Sequence, residues 1–361
     1  MPPIRFIHAA DLHLDAAFSG LSRDIPADFA ERLRTATFTA FRRLLDLCER
    51  ESPDFLLLAG DVYNQEDASV SAQLALRDGF RRLESLSIPV FLVHGNHDPL
   101  ASRLRSVRWP GNVTVFGELP DAVPVFRKGE GTPLAIIHGA SHASGRETRN
   151  LAALFRRTEA CGLHVGLLHA TPGDADGVAR YAPFSQGDLK ASGMDYWALG
   201  HIHDRREVCR EPLAAYPGCT QGLHINEPGE KGCLLVTAEA RPDGGYAVRT
   251  SFRPLGPAVW KTLDMDLGGA ASLDELENRL RTGLDRAAAE VWSGCEMLLV
   301  RLRLQGRTEL DGLLRKGTTC AELADRLRED GSGVPRIWIK DIDVATRPCV
   351  ERGALLERED L

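Results

Sequence analysis

The stretch Ile4-Arg5-Phe6-Ile7-His8-Ala9-Ala10-Asp11-Leu12-His13 decides the fold of this chain. A short apolar run of this kind is typical of a buried strand, and here it leads into an aspartate and a histidine. The pattern returns where Phe55 to Ala59 leads to Gly60-Asp61, and where Val90 to Val93 leads to His94-Gly95-Asn96-His97-Asp98. The chain therefore repeats one design, in which a buried strand ends in side chains that can bind a metal ion.

Three later apolar runs follow the same design. They lead to His138-Gly139, to His169 and to Gly200-His201-Ile202-His203. Helices are expected between the strands. Phe38, Phe41, Leu45 and Cys48 fall on one face at helical spacing, and Leu74, Leu76, Phe80 and Leu83 indicate a second helix. Alternating strands and helices predict an α/β fold, in which ligands collect at the carboxyl ends of the strands. We therefore expect the six strand ends to form one site.

Composition excludes several classes of protein. There is no apolar run of about 18 residues, as a membrane helix requires, and Met1-Pro2-Pro3-Ile4-Arg5 lacks the pattern of a secretory signal, so a cytoplasmic protein is expected. The eight cysteines show no C-x-x-C spacing, which favours free thiols over a zinc knuckle. The net charge of −7 gives no support to a nucleic-acid partner, which would have to meet local basic patches.

The stretch Pro254-Leu255-Gly256-Pro257 marks a domain boundary, because two prolines and a glycine interrupt the sequence pattern there. We predict a first domain over 1–256, a small α+β domain over 257–345 and a C-terminal tail over 346–361. The second domain is expected to run strand, helix, strand, helix, strand. Its helices would begin at the capping patterns Ser272-Leu273-Asp274-Glu275 and Thr319-Cys320-Ala321-Glu322.

Five segments, taken in order, resemble the calcineurin-like metallophosphoesterase superfamily. They are Asp11-x-His13, Gly60-Asp61, Gly95-Asn96-His97-Asp98, His169 and Gly200-His201-x-His203. The sequence around the first segment is similar to the SbcD type of DNA repair nuclease. Tyr181-Ala182-Pro183, Tyr196-Trp197-Ala198-Leu199 and Tyr216-Pro217-Gly218 are closer still to the YhaO-like branch of that type. The resemblance implies a β-sandwich flanked by helices, in four layers α/β/β/α, with the small C-terminal domain as a cap.

The resemblance also implies two divalent metal ions. One would be bound by Asp11, His13, Asp61 and His203, and the other by Asp61, Asn96, His169 and His201. Two cations roughly 3.5–4 Å apart repel each other, so an anionic bridge is needed, and the Asp61 carboxylate fits that role. A mixed oxygen and imidazole set suits manganese, iron or zinc better than calcium. The resemblance implies Mn²⁺, with Mg²⁺, Fe²⁺ and Zn²⁺ as alternatives. A water between the metals would lose a proton and attack phosphorus.

Two further residues in the matching segments are expected to act in catalysis. By resemblance, His97 orients the phosphate and helps to protonate the leaving oxygen, and Asp98 holds the His97 ring in one tautomer. Gly95 and Gly200 are expected to allow tight turns beside the metals. The other histidines near strand ends, His8, His94, His138 and His142, are expected to be structural or to support the ligands by hydrogen bonds.

The sequence departs from the family pattern at three positions. Asn64 stands where Asp is usual, Cys219 where Asn is usual and Leu223 where Arg is common. None of these is an expected ligand, and the absence of an arginine at position 223 is expected to reduce contacts either to phosphate or to the backbone. The arginine that protein phosphatases carry soon after Gly-Asp is absent here, which argues against a phosphoprotein substrate.

Basic residues follow several of the strand ends. We predict that DNA binds to a set of arginines and one tryptophan: Arg103, Arg105, Arg108, Trp109, Arg146, Arg149, Arg205 and Arg206. Arginine suits phosphate, and a tryptophan can stack on a base. The alternative is that these arginines are ordinary solvated surface residues.

The leading hypothesis is therefore a metal-dependent DNA nuclease. The resemblance implies 3′-to-5′ exonuclease action on duplex ends with single-strand endonuclease action, an SMC-like (SbcC-like) ATPase partner, and a homodimer. A second hypothesis is a phosphodiesterase for small nucleotides or cyclic nucleotides. A third is a DNA-binding adaptor for such an ATPase, with weak catalysis.

Overall fold

The computed structural model describes residues 2–21, 25–64, 69–102, 107–174, 180–242, 244–329 and 333–349. The chain divides into two compact units. The first contains the residues up to Phe18, 27–223 and 231–256, and the second contains 19–26, 224–230 and the residues from Pro257 onward. Nothing in the sequence pattern pointed to the two short segments that join the second unit.

The first unit alternates strands and helices before it ends in strands alone. In chain order its elements are β1 (Ile4–Ala9), α1 (Ala27–Arg34), α2 (Ala36–Glu51), β2 (Phe55–Ala59), α3 (Val70–Ser85), β3 (Val90–Val93), β4 (Val113–Val115), β5 (Asp121–Val125), β6 (Ala135–Ala140), a 3-10 turn (Ala152–Leu154), β7 (Leu163–His169), α4 (Gln186–Ala191), β8 (Tyr196–Gly200), β9 (Arg206–Arg210), β10 (Leu213–Tyr216), β11 (Gly232–Ala240) and β12 (Tyr246–Pro254).

These strands form two sheets in the described part of the chain. The first sheet has the order β12-β11-β1-β2-β3-β4, and the second has the order β5-β6-β7-β8-β10-β9. Strands β1 to β4 run parallel to one another, as do β6, β7, β8 and β10, whereas β11, β12, β5 and β9 are antiparallel to their neighbours. Parallel strands present their carboxyl ends at one edge of each sheet, which is where the site residues follow.

Apolar side chains on both faces of the strands divide the core into three layers. Phe6, Phe55 and Tyr196 lie between the two sheets. Helices α2 and α3 cover the outer face of the first sheet, where Phe41 and Phe80 are buried. The 3-10 turn and α4 cover the outer face of the second sheet. The order is therefore helix, sheet, sheet, helix, which confirms the predicted four-layer α/β sandwich.

The two helices predicted between the first strands are confirmed. Phe41, Leu45 and Cys48 of α2 are buried, as expected from their spacing. In α3, Leu76 and Phe80 are buried, but Leu74 is 37% exposed. Residues two apart on a helix do not share a face, so Leu74 cannot point the same way as Leu76.

The second unit contains a three-stranded parallel sheet with helices packed against it. Its elements are β13 (Ala258–Asp266), α5 (Leu273–Glu290), β14 (Met297–Gln305), β15 (Arg307–Thr308), α6 (Asp311–Leu314), α7 (Gly317–Glu329), β16 (Arg336–Val344) and β17 (Arg347–Pro348). The sheet order is β13-β14-β16, and Leu276, Leu280 and Leu298 belong to its apolar core.

One detail of the second unit agrees with expectation and two differ from it. The predicted cap at Ser272 is present, since its side chain accepts from the Glu275 amide at 3.2 Å. Helix α7, however, begins at Gly317, so Thr319 lies inside its first turn and is not the cap. The predicted tail also contributes structure, because Arg347 and Pro348 pair with β15. Among the described helices, none is long and apolar enough to cross a membrane.

Candidate metal centre

The carboxyl ends of five strands from both sheets converge at one end of the sandwich. The first sheet contributes Asp11 and His13 after β1, Asp61 after β2 and Asn96 after β3. The second sheet contributes His169, the last residue of β7, and His201 and His203 after β8. All seven predicted ligands thus follow strands that end at the same place.

The ligand atoms form two groups. Asp11, His13 and His203 each offer a ligand atom within 4.8 Å of the other two, and Asp61, His169 and His201 do the same. The Nε2 atoms of His13 and His203 are 3.1 Å apart. Asn96 joins the second group, because its Oδ1 lies 3.1 Å from Nε2 of His169. The structure thus brings the seven side chains together in two groups, with Asp61 in the second.

Asp61 lies between the two groups. Its Oδ2 is 3.3 Å from Nε2 of His169 and 3.9 Å from Nε2 of His13. Its Oδ1 accepts a hydrogen bond from the backbone amide of His97 at 3.0 Å. One carboxylate therefore faces a histidine of each group, as a ligand shared by two cations must.

Left-handed backbone shapes the turns of the first sheet. The φ angles of Asp11, His13 and Asp61 are 51°, 42° and 49°. Asp and His adopt this region more readily than bulky or β-branched residues, and such conformations concentrate at functional sites. Backbone hydrogen bonds from Asp11 to Gly60 (3.1 Å) and from His13 to Asp61 (3.0 Å) hold the two turns together.

Close approach, not turn geometry, explains Gly95 and Gly200. Neither has a positive φ, so the expectation of a glycine-dependent turn is wrong. A Cβ on Gly200 would lie 1.8 Å from the carbonyl oxygen of Ala59 in the opposite sheet, and one on Gly95 would lie 2.2 Å from Oδ1 of Asp61. The two sheets therefore meet backbone to backbone beside the site.

Hydrogen bonds fix the orientation of the ligands. Nδ1–H of His169 donates to the carbonyl of Ala59 at 2.9 Å, which leaves the lone pair on Nε2 for a metal. The backbone amide of His201 donates to Oδ2 of Asp11 at 3.0 Å. Both bonds run from the second sheet to the first, so they align the two halves of the site.

The other histidines near strand ends have structural partners, as predicted. Nε2 of His142 lies 2.6 Å from the carbonyl oxygen of His169, and Nε2 of His138 lies 3.0 Å from Nδ1 of His164. His8 crosses between the sheets, with Nδ1 2.9 Å from the Tyr196 hydroxyl and Nε2 3.2 Å from the Leu199 carbonyl. His94 lies 3.5 Å from the Asp98 carboxylate.

Burial and neighbouring charges shift the pKa values of the site residues, and the buried carboxylates favour positive charge beside them. Burial raises the pKa of Asp11 to about 6 and lowers that of His13 to about 3. For His169, burial opposes protonation, but Asp61 and Asp11 outweigh it and raise its pKa to about 9. Burial also opposes ionisation of Asp61, yet His169 and His13 hold its pKa below the ordinary value. This oxygen and imidazole set therefore fits divalent cations well.

Asp98 has partners other than the expected His97 ring. His97 is exposed, and its Nδ1–H donates to the backbone carbonyl of Asn64 at 2.9 Å. Asp98 is buried and accepts from the amides of Val62 (3.0 Å) and Gly95 (2.8 Å). The prediction that Asp98 holds the His97 ring is wrong, because its carboxylate is used to join two ligand turns. Since Asn64 acts through its backbone, the change from the usual Asp leaves this bond intact.

The predicted DNA-binding residues fall into three groups. Arg103 and Arg105 lie outside the described residues. Arg149 is paired with Glu147 at 2.6 Å, and the Trp109 ring packs against Phe80 at 5.4 Å between centroids, so both have structural partners. The remaining arginines are exposed: Arg108, Arg146, Arg205 and Arg206.

One contributor was missed by sequence reasoning. Lys231 is buried, and its Nζ donates to the carbonyl of His203 at 3.0 Å and to Asp204 at 2.9 Å. It therefore holds the loop that carries His203. Sequence reasoning missed this contact because 28 residues separate Lys231 from His203 along the chain.

A helix-flanked double sheet with oxygen and imidazole ligands at its strand ends defines the class of metal-dependent phosphoester hydrolases. The family model for calcineurin-like phosphoesterases matches residues 4–205, and the model for the middle domain of metallophosphoesterase YhaO matches 260–347. The chain belongs to the calcineurin-like metallophosphoesterase family, in its YhaO-like branch, which confirms the predicted resemblance. Members of this family bind a dinuclear divalent metal centre.

Curated relatives extend this result. A protein named uncharacterized metallophosphoesterase YhaO, from Bacillus subtilis, is 36% identical over 348 residues, covering 95% of this chain and 82% of that protein. A DNA double-strand break repair protein Mre11 from Aeropyrum pernix is 28% identical over 320 residues, 81% of this chain and 69% of that protein. Another Mre11, from Methanopyrus kandleri, is 22% identical, covering 91% of this chain and 79% of that protein.

Proposed function

We propose that this chain is a two-metal DNA nuclease that acts in DNA repair and end processing. The main support is the convergence of seven ligand-type side chains from both sheets, with the Asp61 carboxylate facing a histidine of each group. The distant relatives named as DNA double-strand break repair proteins favour DNA among the phosphodiesters.

In this proposal one metal is bound by Asp11, His13, Asp61 and His203. The other is bound by Asp61, Asn96, His169 and His201. Mn²⁺ is the expected ion, as the family resemblance implies, and a mixed set of carboxylate, amide and imidazole ligands is compatible with it. Two such ions would supply a nucleophilic water at neutral pH and stabilise the charge on the phosphoryl oxygens.

His97 would act on the leaving group. Its Nδ1–H is engaged with the Asn64 carbonyl, so Nε2 is the nitrogen through which a proton can be given or taken. Its exposure allows a large substrate to reach it. Asp98 is a positioning residue, since it ties the turn before Val62 to the turn at Gly95 and so holds Asp61 and Asn96 in place.

The remaining parts of the proposal concern substrate and partners. We propose 3′-to-5′ exonuclease action on duplex ends, with single-strand endonuclease action, and assembly as a homodimer with an SMC-like ATPase in the cytoplasm. The exposed arginines Arg108, Arg146, Arg205 and Arg206 would meet the DNA backbone, because guanidinium groups pair well with phosphate.

The test is a nuclease assay on end-labelled duplex and single-stranded DNA with added Mn²⁺. Asp61→Asn is compared with Asp54→Asn, since the two aspartates flank opposite ends of β2 and Asp54 pairs with Arg127 instead. We expect metal-dependent shortening by the wild type and by Asp54→Asn, and none by Asp61→Asn.

Other outcomes point to the alternative functions. Hydrolysis of bis(p-nitrophenyl) phosphate or cyclic nucleotides without cleavage of DNA would replace the nuclease with a small-nucleotide phosphodiesterase. DNA binding without hydrolysis of any diester would favour the adaptor. Equal cleavage by wild type and Asp61→Asn would contradict the metal assignment.

A further inference from the structure

A small cleft lies at the edge of the sandwich, close to the metal centre. It has a volume of about 270 Å³ and is lined by residues of both sheets, among them Arg205, Arg206, Tyr216, Leu234 and Phe252. This volume is just below the range of about 300–1,000 Å³ typical of pockets for drug-sized ligands. A duplex cannot enter such a cleft, but part of a single strand can.

Two guanidinium groups are held in this cleft by aromatic rings. The Cζ atom of Arg205 lies 4.1 Å from the centroid of Phe252, and that of Arg206 lies 5.6 Å from the centroid of Tyr216. Contact between a cation and an aromatic face is attractive and restricts the long side chain. The arginines are thus ordered before any ligand arrives, which lowers the entropy lost on binding.

Neither guanidinium is neutralised. Within the described ranges, Arg205 and Arg206 form no ion pair with a carboxylate, whereas Arg149 is fully engaged by Glu147. Glu207 is the one acidic residue among those lining the cleft, so two arginines leave a net positive charge. Their N–H groups remain free to donate to an anion, and phosphate is the anion whose geometry they match.

The cleft is joined directly to the metal centre. Arg205 is two residues after His203, a span of at most roughly 7 Å along the chain. The Tyr216 hydroxyl donates to the carbonyl of Ala170 at 2.6 Å, next to His169. The aromatic wall of the cleft and a predicted ligand are therefore fixed to each other.

We propose that this arginine cleft (Arg205, Arg206, Tyr216 and Phe252) binds the backbone of the substrate strand beside the phosphodiester that is cleaved. The inference rests on the proposed nuclease function and narrows it, because such a site selects a polynucleotide over a mononucleotide diester. The exposed face of the Arg205 guanidinium also offers a surface on which an unpaired base can stack.

The test compares two substrates with the metal-loaded, full-length protein. One is a single-stranded oligodeoxynucleotide, which reaches both the cleft and the metals, and the other is bis(p-nitrophenyl) phosphate, which needs only the metals. The variants are Arg205→Gln with Arg206→Gln, and Phe252→Leu alone. Arg210→Gln is the matched control, since Arg210 is an exposed arginine at the far end of the same strand, β9.

We expect the double arginine variant to raise KM for the oligonucleotide about tenfold or more, because charge-assisted hydrogen bonds are lost. Phe252→Leu should raise it about threefold by freeing Arg205. The salt dependence of KM should become shallower, since fewer counterions are released on binding. Kinetics on bis(p-nitrophenyl) phosphate, and those of Arg210→Gln on both substrates, should stay at the wild-type level.

Failure of the cleft proposal can be distinguished from failure of the proposed nuclease function. If the wild type cleaves DNA and the arginine variant has an unchanged KM, the cleft proposal is overturned and the nuclease function stands. Equal losses on both substrates would show that the arginines support the His203 loop, which also overturns it. If the wild type hydrolyses only the small diester, the nuclease function itself fails.

Discussion

The two sheets contribute different chemistry to the same metal centre. In the proposed site, the first sheet would supply the oxygen ligands Asp11, Asp61 and Asn96 together with His13, and the backbone of Asp11, His13 and Asp61 is left-handed. The second sheet would supply imidazoles alone, from His169, His201 and His203. The first half therefore sets the charge of the site, and the second half completes its geometry without neutralising it.

The two halves work together only while the sheets stay in register. His169 donates to Ala59, His201 donates to Asp11, and His8 contacts Tyr196 and Leu199, so each bond crosses from one sheet to the other. Changes in a ligand, in the proton donor and in the inter-sheet contacts should therefore have separable effects.

The largest effect is expected at the second-sheet half. His169→Gln removes a nitrogen ligand and should lower both metal content and diesterase activity, the latter by on the order of a thousandfold, because the metal supplies several kcal/mol of transition-state stabilisation. Metal is counted by elemental analysis after gel filtration. His164→Gln is the control, since His164 is also buried, in the same strand, roughly 16 Å away. Equal metal loss in both variants would mean that the strand, not the ligand, was damaged.

The next effect should separate proton transfer from metal binding. His97→Ala is expected to lower kcat about a hundredfold or more, as loss of a general acid does, while both metals stay bound. Leaving groups of lower pKa need less protonation, so the fall in kcat should be smaller on p-nitrophenyl esters than on DNA. A fall in metal content together with activity would instead make His97 a ligand.

A smaller effect is expected where the two halves meet. Gly200→Ala places a methyl group 1.8 Å from the Ala59 carbonyl, so backbone must shift and the free energy of unfolding should fall by about 1–3 kcal/mol or more. Urea denaturation measures the loss. In Gly117→Ala the new methyl group meets nothing within 4 Å, so this variant should unfold near the wild-type midpoint. Equal stability of the two variants would show that the sheets can separate at low cost.

The smallest effect depends on pH. Burial lowers the pKa of His8 from 6.5 to about 3, so His8 favours the folded state above pH 6.5 and this stability is lost as the pH falls toward 3. His8→Gln lacks this titration. The difference in unfolding free energy between wild type and variant should therefore narrow by up to about 2 kcal/mol from pH 6.5 to 5, measured by urea denaturation with a chelator. A constant difference would mean that His8 titrates normally in the folded protein.

Local pattern was enough to predict the strand ends, because an apolar run followed by Asp or His is visible in a single segment. It also predicted α2 and the strands of the second unit. It did not predict that β11 would pair with β1, since strands more than two hundred residues apart along the chain leave no local sign of pairing. The partners of Asp98 were missed for the same reason, because the Val62 amide reaches it only after both turns have formed.

The arginines show the same limit. Their type and position after strand ends indicated phosphate binding, but the sequence does not show which are already paired. Arg149 is neutralised by a neighbour two residues away, whereas Arg205 is ordered by Phe252, which lies far along the chain. Only the three-dimensional structure distinguishes a guanidinium that is already ion-paired from one that can still bind phosphate.

Gly200 and the carbonyl of Ala59 bring the two sheets of the first unit into close backbone approach. At the metal end the sheets touch through their backbones, whereas rings such as Phe6 and Tyr196 hold them apart further along the strands. The sheets should therefore separate last where their backbones approach each other, which is where the proposed ligands lie. Amide hydrogens beside Ala59 and Gly200 should exchange last with deuterated solvent, and the candidate metal centre should keep its shape while the rest of the sandwich loosens.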